Sequence, residues 1–194
     1  MKVDINIFNQ EINNALKVLQ KVGTLLYPTD TIWGIGCDST NKKAVDKIYD
    51  IKNRDKTKSL IVLIDSVDKL EDYVVNIPDI TYDLINNINR PLTIIYPKAK
   101  NIATNVMADD GSLAIRIVKD DFCKELIKQF GKPIVSTSAN FSGEPTAVHF
   151  KQISETLKSK MDYIVSIFHN EIKEIAPSQI IQLTTDNSFK VIRK

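Results

Sequence analysis

Short apolar segments alternate with amphipathic helical segments along most of this chain, and this alternation limits its fold more than any other feature. A helix is predicted where apolar residues recur every three to four positions, and a strand where a short apolar run lies between turn residues. Such alternation is typical of helices packed on both faces of a mainly parallel or mixed sheet. We therefore predict an α+β fold with three layers, α/β/α. The predicted helices are 9–21, 41–51, 66–74, 78–89, 120–130 and 150–161, and the predicted strands are 25–27, 33–37, 60–64, 92–96, 113–118, 133–135, 163–168, 179–183 and 189–192.

The length and composition predict one domain, 1–194, in a reducing compartment. A chain of 194 residues, 43% of them hydrophobic, is long enough for one domain with its own hydrophobic core but short for two. A net charge of +2 excludes a polycation, so nucleic-acid affinity would need a local patch. Two isolated cysteines make neither a disulfide framework nor a zinc signature. Because we find no signal peptide and no run long enough to span a membrane, we expect a cytoplasmic protein with no membrane partner.

The segment from Thr24 to Ile64 holds the first candidate site. A short apolar run ends at Pro28, and Thr29, Asp30 and Thr31 follow it. Polar groups at the end of a buried strand are where α/β proteins usually build their sites. This turn is therefore predicted to contribute to a ligand site.

Four cations recur at alternate positions after the predicted helix at 41–51. They are Lys52, Arg54, Lys56 and Lys58. In an extended chain alternate side chains point the same way, so these four would share one surface-accessible face. Such a face beside a hydroxyl-lined turn suits a phosphate-bearing ligand. The alternative is a solvated charged loop, and this segment alone favours neither interpretation.

A second cluster of hydroxyls follows the predicted strand at 133–135. Four hydroxyls and one amide lie between Ser136 and Ser142. They can hold phosphate oxygens or a metal-bound water, and the alternative is a turn that caps a helix. Separately, Arg116 lies within an apolar strand, where a guanidinium must find an anion. That anion is either part of a ligand or a neighbouring carboxylate in a structural ion pair.

The remaining polar residues suggest which chemistry is available. His149 and His169 have no second metal ligand at a suitable spacing, and no pair of carboxylates suits acid–base work. The groups available for binding and catalysis are therefore cations, hydroxyls and backbone amides. These groups suit reactions at phosphorus, where positioning and charge neutralisation dominate.

Six short motifs occur in a characteristic order along the chain. They are Pro28-Thr29-Asp30-Thr31-x-x-Gly34-x-Gly36-x-Asp38, Lys52-x-Arg54, Ser59-Leu60-Ile61-Val62, Pro91-Leu92-Thr93, Ala114-Ile115-Arg116 and Ser138-Ala139-Asn140-x-Ser142-Gly143. In this order they resemble YrdC-type threonylcarbamoyl-AMP synthases, and the chain is similar to the short, single-domain members of that family. The resemblance extends from about residue 23 to residue 146, and more loosely to residue 181.

The resemblance implies both a fold and an activity. The fold would be a twisted mixed sheet with helices on both faces and a basic concave surface. The activity would be that of a nucleotidyltransferase that joins L-threonine, bicarbonate and ATP into threonylcarbamoyl-AMP and releases pyrophosphate, with Mg²⁺ accompanying ATP. The product would pass to a tRNA threonylcarbamoyl-transfer complex that modifies adenosine next to the anticodon.

The resemblance also assigns site residues, although it assigns no metal ligands. Lys52 and Arg54 would be catalytic, because they would neutralise the charge that develops at phosphorus. Thr31, Arg116 and Ser136 would bind threonine, with the Arg116 guanidinium taking the carboxylate in a fork. The residues implied to contact ATP are Lys52, Arg54, Lys58, Ser112, Ser138, Asn140 and Thr146.

Two other classes of function stay open on the sequence alone. A non-catalytic module for double-stranded RNA or tRNA would use the same row of cations, lose affinity steeply with salt and turn nothing over. A hydrolase would use Ser138 or Cys37 together with His149, and an acylating reagent would inactivate it.

Overall fold

Helices and strands alternate along the described chain, as the sequence predicts. The computed structural model describes residues 3–170, 177–184 and 187–194. In these residues no helix is both long and apolar enough to span a membrane. The helices are α1 (Ile5–Gln20), α2 (Lys42–Lys52), α3 (Leu70–Tyr73), α4 (Ile80–Asn87), α5 (Asp121–Phe130) and α6 (Glu155–Lys158). The strands are β1 (Leu25–Tyr27), β2 (Gly34–Gly36), β3 (Ile61–Ile64), β4 (Leu92–Tyr96), β5 (Leu113–Ile117), β6 (Ile134–Ser138), β7 (Tyr163–Ile164), β8 (Gln179–Leu183) and β9 (Phe189–Arg193).

The strands form one mixed sheet. The nine strands of the described residues lie in the order β7-β1-β2-β6-β3-β5-β4-β8-β9. The pairs β1–β7, β3–β5 and β4–β8 are parallel, and the other neighbours are antiparallel. The predicted mixed sheet is therefore confirmed.

Alternate residues of β3 point into two separate core layers. Val62 and Ile64 pack in the cluster that contains Ile48 of α2. Leu63, between them, packs in the opposite cluster with Leu126 of α5. Because successive side chains of a strand point to opposite faces, a strand with apolar residues throughout must be covered on both sides. The predicted three-layer arrangement is confirmed.

The helices on the second face cover only part of the sheet. The cluster beneath α1 and α5 contains side chains from β1, β3 and β6. Further along the same face, Ile95 of β4, Ala114 of β5 and Ile180 of β8 line an open cavity instead. The uncovered part of this face is therefore where a ligand can reach the sheet.

Strand β2 lies very close to its neighbours at Gly36. A Cβ atom at this position would be 2.0 Å from the carbonyl oxygen of Val135 and 2.9 Å from Cε1 of Tyr27. Only glycine fits such an approach between backbones. The glycine of the motif therefore lets the backbone of β6 come close to β2.

Helix α1 begins earlier than the sequence predicted. The Asp4 carboxylate accepts hydrogen bonds from the N–H groups of Asn6 at 2.8 Å and Ile7 at 3.4 Å. Asp4 is therefore the N-terminal cap, and the predicted start at residue 9 was wrong. The apolar period missed this first turn because Ile5 is 65% exposed and contributes little to the buried stripe.

Two other predicted helices are shorter than expected, and one predicted strand is longer. The segments 66–74 and 150–161 each contain a 3-10 turn followed by a single α-helical turn, α3 or α6. Strand β6 continues to Ser138, so three of the hydroxyls predicted to follow a strand lie on the strand itself. Helix α2 is capped by Asn41, whose side chain accepts hydrogen bonds from the N–H groups of Lys43 and Ala44.

Candidate active site

A cavity of about 310 Å³ lies over the uncovered part of the sheet. Its floor is apolar and contains Ile61, Ile95, Ala114 and Ile180. Its walls are polar and come from the turn after β1, the end of β6, the loop after α2, and β9. An apolar floor with a few convergent polar groups is the usual construction of a small-molecule site.

Arg116 on β5 lies at the edge of this floor. It is 4% exposed, and strands on both sides of β5 fix its backbone. Its Nη1 donates to Thr31 Oγ1 at 3.1 Å, and its Nη2 lies 3.2 Å from Asp30 Oδ1. Its Nε is buried and has no hydrogen-bond partner. The ion-pair interpretation of Arg116 is therefore confirmed by its carboxylate neighbour. Binding of a ligand by Arg116 stays a prediction, for which the Nε leaves one donor.

The turn after β1 presents Thr31 to the guanidinium. Thr29 Oγ1 accepts a hydrogen bond from the N–H of Thr31 at 3.0 Å and donates to the carbonyl of Ile32 at 2.8 Å. Short side chains that bond to the nearby backbone in this way hold a turn in one conformation. The predicted hydroxyl-lined turn is therefore part of the cavity wall.

Lys52 lies behind the wall and not in the cavity. It is 1% exposed, and its Nζ donates to the carbonyl oxygens of Ser138 and Asn140. Its own carbonyl accepts from the N–H of Ser142 at 2.9 Å. Burial, with a smaller contribution from the nearby charge of Arg54, lowers the pKa of Lys52 to about 8. Lys52 thus ties the end of α2 to the segment that follows β6.

The loop after α2 is not an extended strand, so the predicted shared face of four cations was wrong. Asn53 takes a left-handed conformation with φ of 49°, and Arg54 turns back to donate to the carbonyls of Lys58 and Ser59. Lys56 points elsewhere and pairs with Asp46 at 2.8 Å. The reason is that the C-terminal cap of α2 reverses the chain before any extended geometry can begin.

Arg193 of β9 lines the cavity too, and sequence reasoning missed it. Its Nε and Nη2 donate to the carbonyl of Ser178 at 2.9 and 2.7 Å. Burial and the nearby charge of Arg116 lower the pKa of Arg193. Two arginines that influence each other across one cavity favour an anionic ligand between them.

A β-bulge directs Arg193 to this face. Ile181 pairs with Val191, but Ile180 pairs with Arg193, so one extra residue, Ile192, lies between the two pairs. In a regular strand Val191 and Arg193 would point to the same face. The bulge places them on opposite faces, as bulges beside sites commonly do. A strand predicted by simple alternation therefore gives no signal for Arg193.

The structure brings six of the ten predicted site residues together. They line the cavity from its different walls and include the three residues predicted to bind threonine. These six are Thr31, Arg54, Arg116, Ser136, Ser138 and Thr146.

The other four predicted residues do not line the cavity. Lys52 and Asn140 hold the segment after β6, where the Asn140 amide donates to Phe141 and Glu144 carbonyls and its Oδ1 is buried without a partner. Lys58 is exposed. Ser112 precedes β5, and its N–H donates to Asp110 at 2.9 Å. Whether these four contact a nucleotide remains a prediction.

The described lining of the cavity is strongly cationic. It contains the three arginines Arg54, Arg116 and Arg193 and no carboxylate. Burial lowers the pKa of Arg54, so its charge lies in a partly desolvated position. Charges placed in this way attract anions more strongly than the same charges in open solvent.

Two other kinds of chemistry find little support in the described residues. Cys37 is completely buried, and burial raises its pKa well above the usual range of a thiol, so it is not a nucleophilic thiolate. No group of three or more histidine, cysteine, aspartate or glutamate side chains could hold a metal ion within those residues.

A sequence profile identifies the family. Residues 17–194 match the profile Sua5_yciO_yrdC, described as "Telomere recombination". The chain belongs to this family. The predicted resemblance to YrdC-type proteins is therefore confirmed over most of the chain.

Two similar proteins of known family share one name. A protein from Psychromonas ingrahamii named threonylcarbamoyl-AMP synthase is 34% identical over 153 residues, which is 77% of this chain and 80% of that protein. A protein of the same name from Aliivibrio fischeri is 30% identical over 187 residues, which is 93% of this chain and 98% of that protein.

Solved structures of family members have the same fold. A variant of P. abyssi Sua5 is 26% identical with a TM-score of 0.82, and the match covers 89% of this chain and 53% of that chain. The present chain therefore spans about half the length of P. abyssi Sua5. E. coli YciO matches with 24% identity and a TM-score of 0.82, covering 95% of this chain and 89% of that chain, which supports the fold alone.

Proposed function

We propose that this chain is an L-threonylcarbamoyladenylate synthase, a nucleotidyltransferase that makes threonylcarbamoyl-AMP and pyrophosphate from L-threonine, bicarbonate and ATP. The observation that carries this proposal is the cavity lined by three arginines, with the buried Arg116 at its floor. The two relatives described above are named threonylcarbamoyl-AMP synthases, and they support the same activity.

The reaction needs a site that gathers negative charge. Bicarbonate and the amino group of threonine first form a carbamate and release water. An oxygen of that carbamate then attacks the α-phosphorus of ATP, a new P–O bond forms, and pyrophosphate leaves with the electrons of the bond that breaks. Every reactant after the first step is anionic, so positioning and charge neutralisation carry most of the catalysis.

Arg116 suits the amino-acid end of this reaction. It is buried beside Thr31, and its Nε is still free to donate. A guanidinium can take a carboxylate through two parallel hydrogen bonds. Ser136, on the neighbouring part of the wall, adds a hydroxyl within the same cavity. The apolar floor beside Arg116 would pack against the threonine methyl group.

Arg54, Arg193 and Ser138 suit the phosphate end. The two guanidinium groups line the cavity with Ser138 and the exposed Thr146, and no described carboxylate opposes them. They would neutralise the charge that moves from the α-phosphorus to the leaving pyrophosphate. Lys52 would act here through the segment that it holds, because its ammonium donates to the carbonyls of Ser138 and Asn140.

Magnesium would enter as part of the nucleotide substrate. The cavity offers hydroxyls but no described carboxylate as a ligand. Mg²⁺ commonly binds substrate phosphates and keeps several of its waters. The protein residues would therefore recognise the complex of ATP with Mg²⁺ through its charge and its phosphate oxygens.

The product would serve the modification of tRNA. Threonylcarbamoyl-AMP is a mixed anhydride, so it would pass to a transfer complex before water hydrolyses it. A separate RNA-binding function lacks its predicted basis, because Lys52 is buried and Lys56 pairs with Asp46, so neither extends a row of exposed cations. Binding of RNA by this chain remains a prediction.

The decisive experiment measures pyrophosphate release and identifies the product by mass spectrometry. We expect release that requires both L-threonine and bicarbonate in the presence of ATP and Mg²⁺, with threonylcarbamoyl-AMP formed in equal amount. Omitting each substrate in turn is the control. Release that continues unchanged without threonine would identify an ATPase and contradict the proposal.

A further inference from the structure

Arg116 has a carboxylate neighbour that lies outside the cavity lining. The Asp30 carboxylate is 7% exposed and the Arg116 side chain 5% exposed, and the two approach to 3.2 Å. Asp30 is not among the described residues that line the cavity, whereas Arg116 is. Asp30 therefore meets the guanidinium from behind the ligand space.

The contact is an ion pair and not a well-aligned hydrogen bond. Asp30 Oδ1 is buried, and it has no hydrogen-bond partner despite its distance of 3.2 Å from Arg116 Nη2. The other oxygen, Oδ2, accepts only a long bond of 3.4 Å from the N–H of Lys119. A buried carboxylate held so loosely gains most of its stabilisation from the charge of Arg116.

Without a bound anion, Arg116 has other positively charged side chains close to it. The charge of Arg116 is near enough to Arg193 to lower its pKa, and Arg54 lines the same cavity. Asp30 is the one described carboxylate that pairs with Arg116. A buried guanidinium without a paired anion is strongly unfavourable, so Asp30 stabilises the ligand-free site.

We propose that Asp30 is the internal counter-ion of Arg116, and that it competes with the anionic group of the ligand and so sets the ligand's affinity. Under the proposed function, on which this step rests, that group is the carboxylate of L-threonine. When threonine binds, its carboxylate and that of Asp30 share one guanidinium and repel each other. The substrate therefore binds more weakly than Arg116 alone would allow, and its release is easier.

If Asp30 competes with the ligand for Arg116, its removal has an effect that a purely structural role of Asp30 would not predict. The variant Asp30→Asn keeps the size of the side chain and an oxygen that can face Arg116, but it removes the charge. The ligand-free protein loses stability because Arg116 is no longer neutralised. The same protein binds L-threonine more tightly, by roughly fivefold, which is the lower end of typical couplings between two sites. The KM for threonine falls by a similar factor, while the KM for ATP changes less.

A matched control separates this effect from the general cost of changing a buried aspartate. Asp38 is 5% exposed and pairs with Lys132 at 3.1 Å, away from the cavity. Asp38→Asn should also lower the melting temperature, but it should leave threonine affinity unchanged. Of the two substitutions, only Asp30→Asn should combine a lower melting temperature with a higher affinity for threonine.

The test uses the full chain and two probes. Isothermal titration calorimetry measures L-threonine binding to the wild type, Asp30→Asn and Asp38→Asn. Thermal melting with inorganic phosphate and no substrate measures anion binding without the reaction, and the melting temperature of Asp30→Asn should rise more than that of the wild type. Asp30→Ser, neutral and smaller, serves if Asp30→Asn does not fold.

Unchanged or weaker threonine binding by the neutral variants would overturn the inference and leave Asp30 a structural residue. If the wild type binds no threonine at all, the proposed function fails instead. The phosphate titration then decides on Asp30 alone, because an equal or smaller shift in the variant means that Asp30 does not compete with anions.

Discussion

At the scale of single residues, the guanidinium of Arg116 lines the cavity and the ammonium of Lys52 does not. Arg116 lies at the cavity floor with a free donor, whereas Lys52 is buried behind the wall and donates to two carbonyls. Both were predicted as site residues from the same kind of signal, a cation in a motif. Their surroundings differ, and each gives a prediction.

The substitution Arg116→Lys should raise the KM for threonine far more than the KM for ATP. Lysine keeps the charge but loses the planar pair of donors, a loss of about 1–3 kcal/mol, or roughly 5- to 150-fold. Steady-state kinetics with each substrate varied in turn measures both values. Equal increases in the two KM values would mean that Arg116 acts only through a structural ion pair.

The substitution Lys52→Ala should reduce both turnover and stability. Two buried carbonyls lose their donor, so we expect a cost of about 1–3 kcal/mol in the free energy of unfolding. Turnover should fall by on the order of a hundredfold, as expected when a positioned segment loosens. The sequence alone had suggested that all four cations are accessible, which would give almost no change in stability.

Lys56→Ala is the matched control for Lys52→Ala. Its side chain is 59% exposed and pairs with Asp46 at the surface, so the change should stay within about 0.5 kcal/mol and leave turnover nearly intact. Urea denaturation and a pyrophosphate assay measure the two quantities. A loss of turnover as large as that of Lys52→Ala would show that the whole loop acts as one electrostatic field.

At the scale of elements, the sequence predicted what depends on local patterns and missed what depends on strand pairing. Apolar runs in the sequence predict the strands β1, β4 and β8. Asn41 marks the start of α2, and Gly131 marks the end of α5. The cavity wall formed by β9 does not, because only the pairing with β8 creates the bulge that turns Arg193. Similarly, the burial of Lys52 depends on carbonyls that are distant in sequence.

The close packing of β2 gives a prediction at this scale. Gly36→Ala would place a Cβ atom 2.0 Å from the Val135 carbonyl, so a strand must shift, and the free energy of unfolding should fall by about 3 kcal/mol or more. Gly131→Ala is the control, since it has a φ of 72° but open space around it, and it should cost only about 1 kcal/mol. Chemical denaturation compares them, and equal losses would contradict the packing argument.

At the scale of the whole molecule, one buried ammonium gives stability a dependence on pH. The folded protein holds Lys52 with a pKa of about 8, below the unfolded value of about 10.4. The unfolded chain therefore binds more protons between these two values, and stability rises with pH there. The destabilising effect of the charge is complete below about pH 8 and is relieved above it.

Comparison with Lys52→Met isolates this effect, because other titrating groups act equally in both proteins. The free energy of unfolding of the wild type, minus that of the variant, should increase between pH 7 and pH 10 by about 1 kcal/mol or more. Urea denaturation at several pH values measures it. A difference that stays flat across this range would mean that Lys52 keeps an ordinary pKa in the folded state.

The bulge that brings Arg193 into the cavity has a consequence for biosynthesis. The walls of the site come from Thr31 and from Arg193, which follows it much later in the sequence. On the ribosome, the first wall emerges long before the strand that carries the second, so no nascent chain holds a complete site until β9 has paired with β8. Ligand binding during translation would therefore report that β9 has joined the sheet and that the site is complete.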